Sequence, residues 1–123
     1  MATVNTTGST ISTANPGRDG TGTIVTGWTA GASGGYVRTI RIKATGNTDA
    51  GMVRIFHYDG AYYLWREIQV VAITPDRTTP SFESELNFVN DNSTGWQVGA
   101  ADTIRFATEQ AQEFDIIVEG MDN

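Results

Sequence analysis

Cysteine is absent from this sequence, and that removes a disulfide framework, a thiolate zinc site and a thiol nucleophile at one stroke. Stability has to come from packing, from ladder hydrogen bonds or from a partner. No apolar run approaches the length of a membrane span, and the opening Met-Ala-Thr-Val-Asn-Thr-Thr carries neither a basic region nor an apolar secretory stretch. The expectation is a soluble chain without a Sec-type address that engages no membrane. Sustained helical spacing is missing too, since residues 108–113 offer one turn at most. Positive charge is scarce: the formal net charge is −6 and the pI about 4.5, which argues against nucleic acid as a partner.

That charge is unevenly spread along 123 residues, a length that suits one domain and one core. Residues 1–78 hold seven of the eight basic side chains against five acids, whereas residues 79–123 hold nine acids against Arg105 alone. Such polarity suits docking onto copies of itself or onto a charged scaffold. A sheet that interleaves the two halves would erase it in space.

What the chain does have is period-two patterning around a central hairpin. Gly51–Val71 reads as two strands about Asp59-Gly60, where glycine supplies the positive φ that a tight two-residue turn needs. That loop would pair Tyr58 with Ala61, Ile55 with Leu64 and Arg54 with Trp65, with one aliphatic face and one aromatic and cationic face. Arg66 then falls in register with Leu64, Ile68 and Val70 on the buried face. Either a bulge releases it or a carboxylate meets it.

Before the hairpin, residues 1–22 are rich in Thr, Ser and Gly, and only Val4 and Ile11 are suited to burial. They read as an extended arm that reaches across a neighbour, or else as a frayed terminus, followed by a β domain over residues 23–123. Strands are expected at 23–28, 36–45, 82–88, 96–98, 103–108 and 114–118 beside the two of the hairpin. Pro75 and Pro80 bracket a connection that crosses between sheets. The fold class is all-β: an antiparallel β-sandwich or jelly roll of about eight strands with an N-terminal arm.

Catalytic chemistry is hard to find. His57 is the only histidine and no Gly-x-Ser-x-Gly surrounds any serine, so a structural or exposed histidine is the reading. Glu83 and Glu85 share a strand face, but glycosidase acids come from strands flanking a cleft, and two solvated glutamates are the ordinary outcome. Asp91 with Asp102 would offer oxygens to a cation without the EF-hand spacing. The glycines at 19–22 and 30–35 open no helix, so neither is a nucleotide loop. The expectation is a non-enzyme with no cofactor, no metal and no catalytic residue. Arg54, Tyr58, Tyr63 and Trp65 form either a protein interface, a core layer or a sugar-stacking patch.

The stretch Ile40-Arg-Ile-Lys-Ala-Thr-Gly-Asn-Thr-Asp-Ala-Gly-Met-Val-Arg-Ile-Phe, with Tyr58-Asp-Gly and Leu64-Trp-Arg-Glu-Ile68, resembles small proteins of tailed-bacteriophage structural modules. Over roughly residues 20–120 the chain is similar to capsid decoration, or cement, proteins. The resemblance implies a homotrimer on the outer surface of the virion that clamps subunits of the major capsid protein. The contacts expected are the arm, through Thr3, Val4 and Ile11, and the Arg54, Tyr63 and Trp65 patch. A receptor- or glycan-binding module of a tail fibre or tail tip is the alternative, and a free-standing carbohydrate-binding or hydrolytic domain a third.

Overall fold

The structure, a computed structural model, describes residues 2–89 and 95–123. Among them it has no helix, hence none long and apolar enough to cross a membrane, and nine strands. These are β1 (Thr3–Ile11), β2 (Val25–Thr29), β3 (Gly35–Ala44), β4 (Gly51–Tyr58), β5 (Tyr62–Val70), β6 (Glu83–Asn87), β7 (Trp96–Val98), β8 (Thr103–Thr108) and β9 (Phe114–Asp122). One sheet runs β1-β9-β3-β6, with β7 also on β3, and the other runs β2-β8-β4-β5. All pairings between strands are antiparallel. They nest, β4 with β5 inside β3 with β6, inside β2 with β8, inside β1 with β9, and successive pairs alternate between the sheets.

The result is a β-sandwich, and alternation explains its core. Ile40 and Ile42 on β3, Ile116 and Val118 on β9, Val53 and Ile55 on β4, and Ile104 and Phe106 on β8 turn inward and are buried. Trp28 fills the end near β1: its indole lies against Gly35 and Gly120 and donates to the Asn5 carbonyl oxygen at 2.8 Å. Gly120 is there because nothing larger fits, since an added Cβ would meet the Trp28 ring at 2.7 Å. Gly120→Ala is therefore expected to cost about 1–3 kcal/mol through overpacking, read as a lower urea midpoint at unchanged slope.

The free arm is corrected. β1 pairs with β9 through nine consecutive residues from Thr3 to Ile11, and Ile11 is 2% exposed in the core. The error lay in scoring the segment by its own apolar content. An edge strand needs little of its own when an apolar neighbour such as Phe114-Asp-Ile-Ile-Val118 already carries the core face. Residues 12–24 then leave the first sheet and lie across the outer face of the second. Asn15, buried, holds this strap in shape. Its Nδ2 donates to the carbonyls of Thr21 and Thr23 at 2.9 and 3.0 Å, its Oδ1 accepts the Gly17 N–H at 3.0 Å, and its own N–H bonds Thr108.

The hairpin register also differs. The loop has three residues, so Tyr58 faces Tyr62, and Gly60 at its centre has φ +110°. A bulge at Trp65 moves the ladder one residue further, setting Ile55 opposite Arg66 and Arg54 opposite Glu67. The bulge does release Arg66 to the surface. It also brings a carboxylate to the arginine that turns out to be buried. The connection over residues 74–81 crosses from the second sheet to the first, as its prolines suggested.

Candidate functional site

Arg54, expected on an exposed patch, is 1% exposed. Both faces of β4 are covered, one by the opposing sheet and the other by the strap, and Arg54 shares the strap side with fully buried Phe56. Its Nε meets Glu67 at 3.1 Å and its Nη2 meets Glu109 at 3.2 Å, with a longer contact to the Pro16 carbonyl. Glu67 also holds Arg18 of the strap at 3.3 Å. The guanidinium ties β4, β5, the end of β8 and the strap together, and it touches no solvent-borne partner.

Trp65 is half-buried at the open edge between the sheets. Its ring stacks on Trp96 with centroids 4.0 Å apart and planes at 10°, while the Arg66 guanidinium stands 4.4 Å from the same ring. Two groups at those distances cannot share one face, so both faces of Trp65 are taken and no flat π surface is left for a sugar. Phe88 and His57 pack against Trp96, and His57 Nε2 lies 3.2 Å from Asp102. Trp65 thus closes the core edge; Tyr63, 56% exposed, remains available beside it.

Of the six contact residues expected, Ile11 is buried in the core, Arg54 is buried beneath the strap, and Trp65 is largely covered. Thr3, Val4 and Tyr63 are exposed, Val4 at 71%. Glu83 and Glu85 do share the outer face of the first sheet, but each is matched by a cation on β3: Lys43 at 3.4 Å and Arg41 at 3.0 Å. Asp91 lies outside the described residues, and Asp102 is engaged with His57. Among the described residues no group of three or more His, Asp or Glu is placed to hold a metal ion. The ion pairs Arg41–Glu85, Lys43–Glu83 and Arg54–Glu109 join the basic first part of the chain to the acidic second part. Interleaving is the reading that holds, and the polarity along the sequence does not survive as two lobes.

Among the described residues one broad face is left uncovered: the outer side of the first sheet. A shallow groove of about 210 Å³ runs there between Arg41, Lys43, Glu83, Glu85, Asp115 and Ile117. The register sets Gly8, Ile117, Arg41 and Glu85 in one row across four strands. Gly8 has no side chain to shield Ile117, which is 46% exposed. Ile117 and its row were missed in the sequence. The signal was the pair Ile116-Ile117, because two adjacent apolar residues in a strand cannot both face the core.

The strap's own turn is built on a carboxylate. The Thr21 hydroxyl and N–H both donate to the Asp19 carboxylate, holding its pKa below the ordinary 3.8. A folded-state pKa below the unfolded one contributes stability that is full above pH ~4 and lost as pH falls through the lowered value. Limited proteolysis across residues 16–22 should therefore accelerate in that acid window. Asp19→Asn should lessen the dependence, leaving the part carried by the Glu67 and Glu109 ion pairs.

No protein-family model matches this sequence, and no curated protein matches it either.

Proposed function

We propose that this is a structural virion protein of a tailed phage that binds the assembled capsid and stabilises it by bridging subunits of the major capsid protein. What carries the reading is the contrast between the two outer faces. One is crossed by the chain's own strap and the other lies open, broad and shallow, with Arg41 and Lys43 paired to Glu85 and Glu83 and with Val4 and Ile117 projecting. Such a face suits laying against another protein surface better than enclosing a small substrate. We read the nested strand pairs, which alternate between the two sheets of the sandwich, as a jelly-roll arrangement, an architecture common in capsid and lectin domains. Fold alone does not assign function, so the weight stays on the surface.

A protein that binds the assembled shell and not its free subunits shifts assembly toward the shell by mass action, and several attached copies multiply weak contacts. A glycan-binding tail module is disfavoured because both faces of Trp65 are occupied. The test is co-sedimentation with heads built from the major capsid protein of the same phage. Saturation at a copy number comparable to that of the capsid subunits, with Ile117→Lys binding at least roughly tenfold more weakly, is expected. Binding to tails alone, or to neither, would sink the proposal.

A further inference from the structure

A sheet edge is a row of unpaired N–H and C=O groups, and proteins blunt such edges with charges, bulges or brevity. Three of the edges here are blunted in that way. β2 has five residues and a register shift at Gly27; β5 carries the Trp65 bulge with Arg66 and Glu67; and β6 and β7 are short, with Glu83 and Glu85 on β6. β1 is different. Its nine residues pair with β9 without a shift, contain no charge and no proline, and among the described residues no strand pairs with its other edge. Asn5 is tied to β2 through Trp28 and the Thr29 carbonyl, but among the described residues no side chain bonds to the backbone of Thr6–Ile11.

We infer that two copies of the chain join along the outer edges of β1, antiparallel about a twofold axis at Gly8, to form one continuous sheet. β1 is suited to its own copy because a chargeless strand brings no like charges together across the seam. The nearest acids, Asp115 and Glu119, stand one strand back on β9. They face their counterparts across three strand spacings, roughly 14 Å, beyond the roughly 8 Å screening length at physiological salt. A second observation favours this register. Ser9 Oγ is buried with no hydrogen-bond partner among the described residues. An axis at Gly8 sets Ser9 opposite Thr7 of the copy and Thr10 opposite Thr6, so a turn of the Ser9 side chain to another staggered rotamer brings its hydroxyl to one across the seam. This inference stands independently of attachment to shells.

Sedimentation equilibrium of the full chain tests it. Wild type should be dimeric at micromolar concentration. Gly8→Lys places two ammonium groups face to face at the axis, where an added Cβ meets nothing closer than 3.9 Å within the chain. It should weaken association at least roughly tenfold. Gly46→Lys makes the same charge change where nothing lies within 4 Å and should remain dimeric. A monomeric or trimeric wild type would overturn the inference, and so would a Gly8→Lys protein that dimerises normally. Hydrogen exchange on wild type decides the matter should Gly8→Lys not fold. The amides within Thr6–Ile11 that point away from β9 should slow as concentration rises, and exchange independent of concentration at those amides would overturn the seam.

Discussion

Converting both Glu67 and Glu109 to glutamine should destabilise the fold by about 3–5 kcal/mol, more than removing the arginine they hold. The asymmetry follows from where the three charges sit. Arg54 is 1% exposed, so without its carboxylates the guanidinium stays desolvated with no counter-charge, and it cannot shed its proton to escape. The glutamate side chains are 31% and 32% exposed and can turn to water if Arg54 is lost. Arg54→Met keeps an apolar stem under the strap and should cost only about 1–2 kcal/mol. Urea unfolding of the two variants measures the difference directly. If Arg54→Met proved the more damaging, the knot would be holding by packing and not by charge. Because Glu67 also grips Arg18, the double glutamine variant should in addition loosen the strap before the sheets separate.

Trp28→Ala should cost about 3–5 kcal/mol as well, for a different reason. The indole is buried between β2 and the Gly35 and Gly120 backbones, so truncation leaves a cavity that two glycines cannot refill. It also strands the Asn5 carbonyl, which ties β1 to the second sheet. Trp28→Phe fills most of the cavity but has no donor, and should lose about 1–2 kcal/mol, chiefly the hydrogen bond. The alanine variant should melt roughly 10–20 °C lower. Near-equal losses for Phe and Ala would mean that the donor, and not the volume, fixes the N-terminal strand.

The strands from residue 23 onward were legible because alternation is a local signal, and so was the crossing marked by Pro75 and Pro80. Ile40-Arg-Ile-Lys reads as one face in and one face out whatever the rest of the chain does. The N-terminal strand was not legible, because Thr3–Ile11 becomes a strand through what β9 offers it and not through its own apolar content. The partners of Arg54 escaped for a related reason. A three-residue loop and a bulge each moved the ladder by one, and no propensity announces a bulge at Trp65. Tertiary placement also decided Trp65 itself: its aromatic character was plain, but Trp96 and Arg66 on its two faces come from packing. The open face was half legible. Arg41, Lys43, Glu83 and Glu85 alternate outward in the sequence, while the gap that Gly8 leaves beside Ile117 needs the register of three strands.

Hydroxyl-radical footprinting of the protein bound to capsid shells, compared with the free protein, puts the open face to its most direct trial. Side chains at Val4 and Ile117 should lose reactivity on binding, while Tyr63 and Leu64, exposed on β5 of the other sheet, stay as reactive as before. Protection at Tyr63 and Leu64 with Val4 and Ile117 unchanged would contradict the assignment of the first sheet as the surface that works.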